Sequence, residues 1–256
     1  MKSLVQGKIV ADMENKPGHG QNCPDTTHNL IGQRLGRKGK ATREGILTAA
    51  HQIIESSDDA SMTLSAVARE MSVTLTTLYL YFPDLGDLVL AVLSRVMDSA
   101  NAAFIDKLRA RWAEHTLRAD CREFLAAHYA FWRQHARILQ MRNNYADTGD
   151  IRFLRYRTQI SRPLIELLVL QMDSPAHDVD TPVGYLATVL LTGFERTATV
   201  MTNRIFDISI KDHGTTHGLD YIQHLLDAEA DMMALVIQRQ REIVRHPNGS
   251  VQMQIR

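Results

Sequence analysis

The chain has little of what usually marks a specialised chemistry. Only two of its 256 residues are cysteine, Cys23 and Cys121. They lie far apart in unlike surroundings, so there is no disulfide framework and no zinc-type cysteine pattern, and a reducing compartment is expected. Long hydrophobic runs are missing as well. The longest apolar stretch, Leu164–Met172, is interrupted by Glu166 and Gln171 and falls short of the roughly 18 residues a membrane span needs. Lys2 and Lys8 are not followed by an apolar core segment, so no signal peptide is read. These absences predict a soluble cytoplasmic protein with no membrane partner. Nor is there an excess of charge of one sign: 29 Lys and Arg balance 29 Asp and Glu. That removes the simplest ground for a nucleic-acid partner, a basic chain, and leaves the question to local charge and motif.

Catalytic signatures are missing too. The sequence has no phosphate loop, no nucleophile elbow and no dinucleotide fingerprint, so no enzyme and no cofactor is expected. Its eleven histidines do not assemble into a ligand set. His213 and His217 are four apart with Gly214 between them, His128 and His135 are two helical turns apart, and His224 shares a face only with Asp227. No metal is expected.

What is present is helix. An apolar fraction of 45% is ordinary for a globular chain, and this length can bury a core without staples. Residues 1–37 read as a disordered tail, because Gly7, Pro17, Gly18, Gly20, Pro24 and Gly32 interrupt any helical period. Residues 34–43, RLGRKGKATR, carry Arg34, Arg37, Lys38, Lys40 and Arg43 without an acid. They form either a solubilising charge run or an arm lying along phosphates.

Thr42 is a candidate cap for a first helix, with Ile46, Leu47, Ala50, Ile53 and Ile54 on one face. SSDDAS at 56–61 ends it. Thr63 caps a second short helix with Leu64, Val67, Ala68 and Met71 inward. After Ser72 and Val73, Thr74 caps a third, with Leu78 and Phe82 inward. Cap, short helix, tight turn, cap, short helix is the order of a helix-turn-helix. Pro83 and Asp84 open a fourth. Further helices are expected at 84–113, 117–146, 150–173, 181–203 and 218–244, separated by Thr148–Gly149, Asp173–Thr181 and Asn203–Gly218, and 246–256 is a C-terminal tail. The predicted class is all-α, with a helix-turn-helix domain at 38–95 (motif 63–82) and a helical domain at 96–245.

Three blocks carry a resemblance: TREGILTAA at 42–50, TLSAVAREMSVTLTTLYLYF at 63–82 and DLGDLVLAVL at 84–93. In order and spacing they resemble the DNA-binding domain of TetR-type transcriptional regulators. The resemblance implies a homodimer that binds double-stranded operator DNA and is released from it by a small molecule. It makes 74–82 the recognition helix. Thr74, Leu75, Thr76 and Thr77 would face the groove, with Thr63 also in the DNA-binding set; Arg37, Lys38, Lys40 and Arg43 join it from the charge run, as the arm that neutralises phosphates. Tyr79 and Tyr81 would reach phosphates or base edges, or else pack in the core with their hydroxyls at the rim.

Three departures stand out. Ser72 occupies a turn where the family has Gly, and a positive φ there would strain it by about 1–2 kcal/mol. Leu85 stands where a phosphate-contacting lysine is common. The recognition helix has no charged residue, so the arginine- or lysine-to-guanine contact is unavailable from it. These departures keep open a second reading, an all-α interaction protein whose motif binds DNA weakly or not at all.

The resemblance further implies a ligand site among the C-terminal helices and a dimer interface through 181–203 and 218–244. The candidate lining is Phe104, Trp112, Phe124, Tyr129, Trp132, Met141, Arg142, Asn143, Tyr145 and Phe194, most of them equally readable as core. Arg142, Asn143 and Asn144 are either polar anchors for an unidentified effector or a solvated helix end. Arg152, Arg155, Arg157 and Arg162 read as an anion site or as an exposed face of salt bridges.

Overall fold

Apolar residues recur at three- and four-residue spacing along nearly the whole chain, and a computed structural model turns that spacing into helices. It describes residues 34–56, 62–203 and 218–246. Of the tail expected at 1–37, residues 1–33 lie outside the described residues, as do 57–61, 204–217 and 247–256; residues 34–37 are described, with Leu35 buried and Arg37 opening a helix. Within them the protein is all-α, as expected, with no strand. The helices are α1 (Arg37–Ser56), α2 (Leu64–Glu70), α3 (Leu75–Tyr79), α4 (Leu85–Met97), α5 (Ala100–Ala103), α6 (Leu117–Gln134), α7 (Ala136–Asp147), α8 (Ile151–Gln171), α9 (Pro182–Met201) and α10 (Gly218–Arg245). Single 3-10 turns lie at Ile105–Leu108 and Asp178–Asp180.

Two compact units result. The first holds the described residues 34–50 and 62–91. Its core is Ile46, Leu47 and Ala50 of α1, Val67 and Ala68 of α2, Leu78, Phe82, and Leu88 and Val89 of α4, all buried. The second holds 51–56, 92–203 and 218–246. There α10 runs along α6, α9 along α8, and α7 against α8.

Two long helices expected from periodicity are broken. The segment 84–113 stops at Met97, where Ser99 turns its hydroxyl onto the Val96 carbonyl at 2.7 Å, a local bond that competes with the helix. Phe104, at φ −149°, then leaves the helical region, and its ring is buried against Phe124, His128 and Phe131. The segment 117–146 breaks at His135, whose φ is −117°. Thr42 is not a cap. Helix α1 begins five residues earlier, at Arg37, and the Thr42 hydroxyl donates back to the Lys38 carbonyl at 3.0 Å.

Three helix ends share one device. Backbone bonds from Asp150 to the Tyr145 carbonyl and from Gly149 to Ala146 close α7, with Gly149 at φ +95°. The same pair of bonds closes α8 at Asp173 (φ +57°) and α2 at Ser72 (φ +51°). This is the Schellman cap, in which the residue past the helix end takes a left-handed conformation. Gly184 answers a different demand. A Cβ there would stand 2.1 Å from the Val179 carbonyl oxygen, so only glycine lets α9 start against the 3-10 turn.

The second unit buries charge as well as apolar surface. Arg241 is fully buried. It donates to the Gln171 carbonyl at 2.7 Å and pairs with Glu114 at 3.2 Å. The Gln171 amide in turn holds the Leu108 and Ala110 carbonyls, both at 2.8 Å. Cys121 is buried and free, and burial pushes its thiol up to about 12, which makes it inert.

His128 sits among Phe104, Phe124 and Trp132. Burial, reinforced by the nearby Arg142 charge, pushes it down from 6.5 to about 3. Between those values the unfolded chain binds a proton that the folded chain refuses, so stability falls as the pH drops through that window. Burial also lowers His135, which acts in the same direction. The expected outcome is a urea midpoint that declines from about pH 6.5 towards pH 4, with a shallower decline in His128→Phe. Equal slopes in the two proteins would contradict this origin.

Candidate nucleic-acid interface

Helix α3 has five residues, too few to persist alone, and it is held from both ends. The Thr74 hydroxyl accepts from the Thr77 N–H at 3.1 Å and lies 2.8 Å from the Thr77 hydroxyl. Just past its other end Phe82 is buried, and Arg43 of α1 lays its guanidinium over the Phe82 ring at 5.3 Å. Helix α2 is capped in the same way, Thr63 accepting from the Ala66 N–H at 3.1 Å. Asp84 caps α4 through the Asp87 N–H at 2.9 Å.

Four residues, Met71 to Thr74, link α2 to α3. The Val73 N–H reaches the Ala68 carbonyl at 2.9 Å and the Ser72 N–H reaches Arg69 at 3.1 Å. Ser72 is therefore the left-handed residue of a cap that favours glycine, and the strain anticipated from the sequence is present.

Most of the expected contact residues share the solvent side of this unit. Arg37, Lys38, Lys40, Thr63, Thr74, Leu75, Thr76 and Tyr79 are exposed, and Thr77 and Tyr81 are half-buried. The two tyrosines part company: Tyr79 is 46% exposed, while the Tyr81 hydroxyl lies beside Gly39 in the first turns of α1. Arg43 differs from the rest. It is 6% exposed and packs on Phe82, a role the charge pattern alone does not reveal. From Arg37 onward the basic stretch is the first two turns of a helix, not an extended arm. Leu85 is half-buried.

In the second unit the ten residues expected to line a ligand site are mostly core. Phe104, Trp112, Phe124, Tyr129, Trp132 and Phe194 are buried, and Tyr145 stacks on Phe153 at 4.5 Å. Met141 and Asn143 are half-buried. Arg142 is not at a solvated helix end. It is 1% exposed, its guanidinium lies 5.2 Å from the centre of the Trp132 ring, and it donates to the Asn143 side-chain oxygen at 2.9 Å. Glu195 of α9 stands 3.5 Å away.

A cleft of about 550 Å³ opens between α8 and α9, lined among others by Leu154, Arg157, Ser161, Tyr185, Thr188 and Glu195. None of the ten expected residues lines it. Arg152, Arg157 and Arg162 are each in an ion pair, with Asp150, Asp147 and Glu166. One constellation was not anticipated at all: His51, Glu55 and His135 bring their ligand atoms within 4.8 Å of one another. The readable signal was His51 and Glu55 at i, i+4 on one face of α1. The third member arrives only through packing.

A serine in the left-handed position gives a direct test of the turn. Ser72→Gly is expected to stabilise the protein by about 0.5–1 kcal/mol, the strain relieved less the added freedom of the unfolded glycine. Chemical denaturation checks this, and a loss of stability would contradict the assigned backbone.

No family model matches the chain, and no curated protein does. Solved structures similar to it include a TetR-like transcriptional regulator from Rhodococcus sp. RHA1, 19% identical over 80% of this chain and 97% of that one, with a TM-score of 0.47. What the chain does is therefore inferred from its own residues.

Proposed function

We propose that the chain is a DNA-binding transcriptional regulator that docks α3 in the major groove. The observation that carries this reading is the division of α3 into two faces. Leu78, with Phe82 just beyond, is locked in the core, while Leu75, Thr76 and Tyr79 are presented together to solvent. A rigid helix with a small, uncharged outer face fits a groove about 12 Å wide in which base pairs display distinguishable edges.

Without Arg or Lys on α3, guanine is not read by the usual fork. Threonine methyls and Leu75 suit the thymine methyl instead, so the preferred site is rich in A·T pairs under α3. Affinity independent of sequence comes from Arg34, Arg37, Lys38 and Lys40, exposed at and before the start of α1, which neutralise phosphates. Arg43 contributes by fixing Phe82.

The working form is a homodimer. Tyr185 and Val189 of α9, and Tyr221, Met232 and Leu235 of α10, are exposed apolar side chains, Val189 and Leu235 by 69% and 67%. A two-fold axis would cover such faces in both copies and present two α3 helices to one side of the duplex, about 34–36 Å apart. We read the dimer as a repressor released by a small molecule. Glu195 both lines the cleft and stands beside Arg142, so an effector with an acceptor group in the cleft can compete for that buried cation. Release requires that the effector favour the conformation in which the two α3 helices no longer match the grooves.

Selection from a random duplex library followed by fluorescence anisotropy tests the reading. Thr76→Ala and Tyr79→Ala are expected to weaken the selected duplex by about 1–3 kcal/mol each while leaving binding to random duplex nearly unchanged. Lys38→Ala and Lys40→Ala should weaken both duplexes and lower the salt slope by about 0.9 each. If selection enriches no sequence and the α3 variants bind as the parent does, the motif is not a DNA reader. The exposed Leu75, Tyr79 and Leu80 would then point to a protein partner.

A further inference from the structure

We propose that His51, Glu55 and His135 form a binding site for a late first-row divalent cation, of which Zn2+ and Co2+ are the probes. The site is independent of the proposed DNA reading. His51 and Glu55 stand one turn apart on the last part of α1, with the His51 Nε2 3.8 Å from a Glu55 carboxylate oxygen. Residues at i and i+4 point from one face, which is how a helix offers two ligands to one ion. The third comes from the break between α6 and α7, where His135 turns its ring towards His51 at 6.4 Å between centres. One ligand atom from each of the three lies within 4.8 Å of the other two. A tetrahedral ion with bonds near 2.05 Å needs donors about 3.4 Å apart, a contraction within reach of side-chain rotation alone.

A further feature separates this cluster from a solvated i, i+4 pair. The His135 Nδ1 is buried and has no hydrogen-bond partner, whereas a buried polar atom is ordinarily satisfied. An ion ligated through Nδ1 would satisfy it. Arg137 is the cation beside the carboxylate. It donates to the Ile54 carbonyl at 3.3 Å. Two imidazole nitrogens and one carboxylate suit Zn2+ and its late first-row neighbours rather than Mg2+ or Ca2+, which take oxygen sets. Three protein ligands leave a fourth position for water or an exogenous donor.

The test uses the full chain. Titration with Co2+ is expected to give the visible bands of a four-coordinate ion at one equivalent, displaced by Zn2+, and Zn2+ should raise the thermal unfolding midpoint. His51→Ala, Glu55→Gln and His135→Ala should each weaken the ion at least about 10-fold and abolish the thermal shift. Glu55 is exposed, so Glu55→Gln reports on binding without disturbing the core. His213→Ala/His217→Ala should behave as the parent. Absence of Co2+ bands in the parent overturns the proposal, as does retention of full affinity in all three ligand variants or its loss in the His213/His217 variant.

Discussion

A helix of five residues cannot stand by itself in water, because nucleation costs more than one turn of hydrogen bonds returns. The first unit is organised around that constraint. Burying Leu78 and Phe82 contributes about 1.5–3 kcal/mol each, and the Thr74 cap adds about 1 kcal/mol. Arg43 stacks on the Phe82 ring and fixes the point where the chain leaves α3. Only because the inner face is so firmly held are Leu75, Thr76 and Tyr79 free of structural duty. The Schellman turn at Ser72 sets the direction in which α3 departs from α2, and its cost falls on a residue that is not glycine.

The second unit solves a different problem: long helices with apolar stripes can slide past one another. Buried polar groups oppose that. Arg241 ties α10 to the end of α8 and to Glu114, and Gln171 ties α8 to the segment before α6. Arg142 sits between Trp132 of α6 and Glu195 of α9. An unpaired buried charge is costly, so each of these contacts penalises a shifted register.

The elements of the first unit were legible because each signal is local: caps at Thr63, Thr74 and Asp84, and a 3.6-residue apolar period. Arg43 was misleading. In sequence it belongs to a basic run, and only the position of Phe82, some forty residues on, turns it inward. The same applies to Arg142, which reads as polar until α9 brings Glu195 beside it. Helix breaks at Ser99 and His135 were hidden because apolar residues continue across them with the correct period. The trio of His51, Glu55 and His135 was out of reach for the same reason, since its third member is more than eighty residues from the first.

The central claim is that α3 reads the major groove through an uncharged face supported by a buried one. Uracil interference on the selected duplex tests this most directly, because replacing thymine by uracil removes only the C5-methyl group, which lies in the major groove. Interference is expected at thymines in two clusters about one helical turn apart, with Thr76→Ala removing the pattern. Unchanged binding when every thymine is replaced would contradict it.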